Sequence, residues 1–568
     1  MKRACWRWAL ALAAPALAAC SSVRSAMPAP VPPTYDLVLR GGTIYDGGGG
    51  PPVLGDVAID GDRIAAVGRL GDLAGARGRR ELDVAGLAVA PGFVNMLSWA
   101  DESLLVDGRS LSDLVQGVTL EVFGEGWSMG PLDDAMRDEL IERQQELVYD
   151  VPWTTLGEYL EHLERRGVAT NVASFVGAET VRIHELGYEN RPPTADELGR
   201  MRELVRVAME EGALGLGSSL PYAPADFAST AELIALAEVA ARYDGLYISH
   251  VRDEGTRIHE ALDEFLEIVR AAGIRGEVYH LKASGRENWS KLEEVIARLE
   301  AARAEGLAVT ADIYPYHASS TGLSINFPTW VQEGGHEAFV ERLRDPAIRE
   351  RLQQPGEMRL IPPEDILLVG FRNEELRRHV GRTLADVAAE RGADPIDTAM
   401  DLIVEDDSRI GTVRFTMSEE NVRRKIALPW VSFCSDSGSM APEEPFLALH
   451  PHPRAYGSFA RVLGKYVREE KLVPLEEAIR RLTSLPAENL KLDRRGRLAP
   501  GFFADVVVFD PATIADRATF EEPHRLAVGV EHVFVNGGQV IAGGEHTGAT
   551  PGRVVRGPGW SGRGEETP

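Results

Sequence analysis

Between Val89 and Cys434 the chain alternates short apolar runs with amphipathic stretches, and eight of the runs read as strands. They are Val89 to Leu97, Val118 to Phe123, Ala169 to Val176, Ala213 to Leu220, Leu246 to Val251, Glu277 to Leu281, Ala308 to Tyr314 and Trp430 to Cys434. The stretches between them, such as "TADELGRMRELVRVAMEEG" and "IHEALDEFLEIVRAAG", repeat apolar residues at i, i+3 and i+4, the spacing of a helix packed on one face. Eight β-α units predict a TIM-type (β/α)8 barrel, with an open doubly wound sheet as the second choice. The interval from Thr321 to about Leu428 is too long for a loop and carries helical patterns, so an insertion over the barrel mouth is expected. Strands with period-two alternation and glycine turns fill Tyr35 to about Val89 and return in "RGRLAPGFFADVVVFD" and "VEHVFVNGGQVI". They predict a small β-sandwich domain built from both flanks, residues 35–88 and 495–568, around a barrel of residues 89–494.

Composition narrows the partners. The 568 residues carry a formal charge of −26 with no compensating Lys/Arg stripe, which argues against nucleic acid and anionic lipid surfaces. The first twenty residues are a separate object: Lys2, Arg3 and Arg7 precede a short apolar run, the layout of a secretory signal. That run ends in Leu17-Ala18-Ala19-Cys20, which resembles a lipobox. Residues 1–20 are therefore expected to be a lipoprotein signal, with Cys20 lipidated, and residues 21–34 a flexible tether. Ser21 after that cysteine points to export across the inner membrane and an outer-membrane anchor facing the periplasm, the only membrane contact expected. Of the three cysteines, Cys5 would be removed and Cys20 acylated, leaving Cys434 without a disulfide partner.

Barrel chemistry sits where strands end. The fifth strand ends in "YISHVRDEG", placing His250 last with Arg252 beyond it. The sixth ends in "VYHLKASGREN", with His280 last and Lys282 two further on, and Asp436 falls just past the eighth in "VSFCSDSGS". Two imidazoles and a carboxylate on neighbouring strand ends suit a divalent ion of the zinc type. The second strand, "TLEVFGEGWSMGPL", offers Glu125 among glycines that allow a tight turn, with Glu121 as the alternative ligand.

The chain resembles the D-aminoacylase (N-acyl-D-amino-acid deacylase) branch of the metal-dependent amidohydrolases. The resemblance spans nearly its whole length, through "DLVLRGGTIYDGGG", "ISHVRDEG", "HLKASGRENW", "DIYPYHASSTGL", "HPRAYGSFARVLGKYVREE" and "GRLAPGFFADVVVFDP". It implies a barrel with a small β-sandwich and hydrolysis of the amide of N-acyl amino acids. By the same resemblance His250 and His280 match the histidines on tightly bound zinc, and Asp436 the general base. Lys282, Tyr314, Ser320 and Arg454 match residues that hold the substrate's carboxylate and acyl oxygen, and Tyr222 a pocket-wall aromatic. Two departures stand out. The family's first strand ends in His-x-His, where this chain has Leu97 and Trp99, and its "GNCG" with a cysteine ligand is replaced by "GEGW". What remains is a one-zinc site of Glu125, His250 and His280, with water as the fourth ligand acting as hydroxide near neutral pH and Asp436 as its base. Leu97 and Trp99 become walls where a second metal would sit, and Arg252 joins Lys282 and Arg454 as a substrate-binding candidate.

Two rival readings stand beside this one. "GWSMG", Gly126 to Gly130, is a literal G-x-S-x-G between a strand and a helical stretch, which would make Ser128 the nucleophile of a serine hydrolase. Loss of His-x-His motivates the other, a lipid-anchored binding protein without catalysis. His450 and His452 in "HPHPR", His317 and Cys434 read as structural or wall residues.

Overall fold

Eight parallel strands form because runs such as Leu246–His250 and Val118–Phe123 are buried along their whole length, as strands covered on both faces must be. The computed structural model describes residues 33–560 and 562. The signal, the lipobox and Cys20 lie outside the described residues. We number the barrel strands β1 (Phe93–Asn95), β2 (Val118–Phe123), β3 (Asn171–Ser174), β4 (Gly215–Ser219), β5 (Leu246–His250), β6 (Arg275–Val278), β7 (Val309–Ile313) and β8 (Val431–Phe433). β3 pairs with β2, and its short continuation, Val176–Gly177, pairs with β4. From β4 to β8 each strand pairs in parallel with the next, with Ser219 opposite His250 and Ile313 opposite Phe433. The ring closes between β8 and β1 by single contacts: Met96 N donates to Phe433 O at 3.4 Å and Asp436 N to Leu97 O at 2.9 Å. The doubly wound alternative is thereby set aside.

Helices pack outside. Ile258–Ala272 turns Ile258, Leu262, Phe265, Leu266 and Val269 inward, and Ala195–Glu210 opens on a reciprocal Thr194–Glu197 capping box. Each large apolar side chain so buried contributes roughly 1.5–3 kcal/mol. At the bottom of the barrel the C-terminal tail fills the space between β3 and β4: Gly552 N donates to Val168 O and Gly557 N to Gly212 O, both at 2.8 Å. Glycine is required there, because a Cβ on Gly552 would stand 1.9 Å from Thr170 O.

Both flanks enter one nine-stranded sheet, in which Ala88–Pro91 pairs with Thr34–Ile44 from one side of the chain and Val506–Phe509 from the other. Residues 319–416 fold above the strand ends, and helix Glu419–Ile426 returns to the barrel's outer layer. Antiparallel strands Ser319–Gly322, Gly411–Arg414 and Ile366–Gly370 pack with helices Gly335–Arg344, Leu384–Arg391 and Pro395–Asp406 around a separate apolar core that includes Phe327, Phe339, Leu368 and Met400. This unit and the barrel mouth together enclose a cavity of about 1370 Å³.

Candidate active site

The centre of the site is a carboxylate between two imidazoles. Glu125, past β2 and 5% exposed, points Oε1 at His250 Nδ1, 2.9 Å away, and at His280 Nε2, 2.8 Å away. His250 is the last residue of β5. His280 differs from its expected place: β6 ends at Val278, and His280 sits two residues beyond it in the left-handed region, φ +32°. Its amide donates to Asp312 Oδ1 at 2.8 Å, which fixes this unusual backbone and swings the ring toward Glu125. Asp436, beyond β8, is likewise left-handed at φ +51°. Such backbone strain in non-glycine residues concentrates where the surrounding structure needs a side chain aimed.

A second carboxylate, Glu254, completes the frame. Its oxygens lie 3.2 Å from His250 Nε2 and 3.2 Å from His280 Nδ1, so each ring touches Glu125 with one nitrogen and Glu254 with the other. Burial disfavours the charge on both acids. Against it, His280 and His250 hold Glu125 well below the usual carboxylate range, and His250 and Lys282 do the same for Glu254. Burial and Lys282 oppose a proton on His280, but Glu125 and Glu254 outweigh them and push it up to about 10. A proton on His280 thus helps hold together a cluster whose donor set, one oxygen and two ring nitrogens, suits zinc. One ligand atom from each of Glu125, His250 and His280 falls within 4.8 Å of the others. With Glu254 behind both rings, each histidine has the carboxylate partner that orients metal-binding imidazoles.

Asp436 Oδ2 lies 2.7 Å from Arg454 Nη1, a close ion pair whose angle is too bent for a hydrogen bond. Burial raises the Asp436 carboxyl above its usual range, with Arg454 pulling the other way. Arg454, 4% exposed, stacks over the Tyr314 ring at 4.6 Å. Its Nε and Nη1, like the Tyr314 hydroxyl, are buried without a hydrogen-bond partner, and both residues line the cavity. Ser320 donates to Thr412 O at 3.0 Å and accepts from Arg454 Nη2 at 3.4 Å through its carbonyl. Tyr222 forms a wall, its ring 5.6 Å from that of His250. Lys282 reaches inward to Glu254 and His280, both at 2.6 Å.

Several sequence-based expectations change. Arg252 is spent on structure: Nε donates to Glu264 at 2.8 Å, Nη1 to Asp226 O at 2.7 Å and Nη2 to Ala228 O at 2.9 Å, which leaves no nitrogen for substrate. Glu121 is no ligand. It is fully buried below the site, accepting from Ser110 Oγ at 2.7 Å and Asn95 Nδ2 at 3.3 Å. Ser128 is no nucleophile either: its hydroxyl donates to Gly130 O at 2.7 Å and accepts from Gly177 N at 2.9 Å, with no histidine among its partners among the described residues. His452 accepts from Arg454 N at 2.9 Å and steadies that arginine. Leu97 packs into the barrel's inner core as a wall. Trp99 is more than a wall, because its indole N–H donates to Glu125 Oε2 at 3.1 Å and Asp436 Oδ1 at 3.2 Å. Glu254 was missed altogether, although it stands four residues past His250 in the same strand-end loop.

Residues 369–541 match the Amidohydrolase family. The chain is 36% identical over 528 residues to an N-acyl-D-glutamate deacylase of Alcaligenes xylosoxydans xylosoxydans, covering 92% of this chain and 96% of that one. It is 35% identical over 522 residues to a D-aminoacylase of the same organism, covering 92% and 97%. Among solved structures, an N-acyl-D-glutamate deacylase from Bordetella bronchiseptica complexed with zinc and a phosphonate inhibitor has a TM-score of 0.77 at 33% identity, covering 92% of this chain and all of that one. With identity at this level along almost its whole length, and a barrel whose strand ends gather Glu125, His250 and His280, the chain belongs to the D-aminoacylase branch of the metal-dependent amidohydrolases.

Proposed function

We propose that this protein hydrolyses the amide bond of N-acyl-D-amino acids, using one zinc ion held by Glu125, His250 and His280. The observation that carries the reading is the convergence, in one cavity, of that donor set with Asp436 and the unpartnered donors of Arg454. When bound there, zinc supplies Lewis acidity, acidifying water and polarising a carbonyl. The protein's own groups do the rest. Arg454 takes the substrate's carboxylate through its guanidinium, whose Nε has no hydrogen-bond partner, as a charge-assisted contact, and the Tyr314 hydroxyl, kept neutral by burial, donates beside it. Asp436 receives a proton from the attacking water and returns it to the departing amine nitrogen, a role suited to a carboxyl whose proton affinity burial has raised. Glu254 and Lys282 keep both imidazoles in the orientation that presents one nitrogen to the ion.

The test is elemental analysis of the purified protein beside hydrolysis assays on matched D and L N-acyl amino acids. About one zinc per chain, with D-selective release of free amine, is the expected result. A zinc-free protein that binds such compounds and cleaves none of them would instead be a binding protein.

We also propose that the protein is a lipoprotein anchored through Cys20 to the outer membrane, facing the periplasm. The support is the basic start, the apolar run and Leu17-Ala18-Ala19-Cys20. Radiolabelled palmitate should enter the wild-type chain and not Cys20→Ser, which should leave the membrane fraction. Equal labelling of both would refute the anchor.

A further inference from the structure

Glu125 and Asp436 bring four carboxylate oxygens to the heart of the site, and three kinds of partner divide them. Glu125 gives Oε1 to the two imidazoles and Asp436 gives Oδ2 to Arg454. The remaining two, Glu125 Oε2 and Asp436 Oδ1, converge on one hydrogen atom, the indole N–H of Trp99, at 3.1 and 3.2 Å. Two carboxylates facing a common point are how proteins hold a cation, and without something positive between them they repel. Here the point is filled by a neutral donor. Its placement is firm, since the same stretch that closes the barrel fixes both sides: Asp436 N donates to Leu97 O at 2.9 Å and Trp99 N to Ser437 O at 3.0 Å. Among the described residues, the only group of three or more His, Cys, Asp or Glu side chains that could hold a metal is Glu125, His250 and His280, so an ion at the Trp99 position would find two carboxylates and no third ligand of that kind.

We propose that Trp99 is a positioning residue of the active site, its shared indole N–H standing in for a second cation, locking Glu125 and Asp436 side by side and making the centre strictly mononuclear. The assignment rests on the one-zinc reading above and adds two claims to it. Trp99 decides which oxygen Glu125 presents to the ion, because Oε2 is already occupied. It also keeps Asp436 beside the metal ligand while leaving that carboxylate off the metal, free to carry a proton. A merely space-filling tryptophan would do neither.

The experiment titrates metal-free protein with zinc against a chromophoric chelator, for wild type and Trp99→Phe, which keeps an aromatic ring and loses the N–H. Wild type should saturate at one zinc per chain even in several-fold excess. Trp99→Phe should still take one zinc, about 10- to 100-fold more weakly, the usual effect of removing a partner that orients a metal ligand. Its kcat should fall over a similar range with KM within about threefold of wild type, since the substrate carboxylate is held by Arg454 and not by Trp99. Two zincs in wild type, or zinc affinity and kcat in Trp99→Phe both within twofold of wild type, would overturn the assignment and leave the proposed hydrolase standing. No zinc in wild type would overturn both. Should Trp99→Phe not fold, the same comparison is made between Trp99→Gln, which keeps an N–H donor, and Trp99→Leu, which does not; equal zinc affinities would overturn the role.

Discussion

Arg454 is the residue whose proposed role can be isolated most cleanly. The residue is 4% exposed, and Nε and Nη1 lack hydrogen-bond partners although Nη1 lies 2.7 Å from Asp436 Oδ2. Replacing it with methionine keeps a similar unbranched stem and removes every donor. Two effects are then superimposed: Asp436 loses its cation, and the substrate carboxylate loses its binding partner. The first applies to any substrate and the second only to one bearing a negative charge, so a pair of substrates separates them. A hydrogen bond to a charged group is worth about 1.5–3 kcal/mol, or about 10- to 150-fold in kcat/KM. Wild type should therefore prefer an N-acetyl-D-amino acid over its carboxamide by about that ratio, and in Arg454→Met the preference should collapse to about one. The assay is initial-rate release of free amine from both compounds by both proteins, with circular dichroism to establish that the variant is folded. If Arg454→Met slows the acid and the carboxamide equally, so that the preference survives, then Arg454 serves Asp436 alone and the carboxylate is bound elsewhere.

Three further outcomes follow from the same geometry. In metal-free protein the proton on His280 is held up to about 10, above the ordinary 6.5, so its contribution to stability is full below pH 6.5 and lost as pH rises through 10. Thermal unfolding of the metal-free protein should accordingly show a lower Tm at pH 10 than at pH 7, a difference that Glu125→Gln should shrink; an unchanged difference would mean that the Glu125–His280 contact is not its source. Arg252→Met should lower Tm by unpairing Glu264 and Asp226 while leaving KM within about twofold of wild type, and a large rise in KM would return Arg252 to the substrate site. Ser128→Ala should cost about 1–3 kcal/mol of stability by leaving Gly177 N unsatisfied, read in urea unfolding, yet keep full turnover; an inactive, well-folded variant would revive the serine mechanism.

Periodicity carried the architecture. Strands buried on both faces need unbroken apolar runs and the covering helices need an apolar stripe, so a (β/α)8 barrel could be read without any contact being known. The same logic placed His250 and Asp436 correctly at strand ends, because barrel topology turns position along a strand into position at the mouth. It placed His280 only approximately. The strand stops at Val278, and the turn that aims the ring depends on a hydrogen bond to Asp312, from the next strand.

What the chain alone determined, then, is the fold and the chemical type of the centre: residue types and their period state which side chains can bind a metal and at which strand end they emerge. The tertiary structure decided who touches whom. Arg252 and Arg454 are the same residue type near the same mouth, yet one is saturated by Glu264 and Asp226 while the other keeps open donors. Glu121 and Glu125 differ by four positions, and the turn of the chain sends one into a serine-lined interior and the other to the imidazoles. Trp99 read as an inert replacement for a histidine. Its function depends on Asp436, 337 residues away, arriving within hydrogen-bond reach of one indole nitrogen, and a contact set by the closing of a barrel leaves no period or local motif in the sequence.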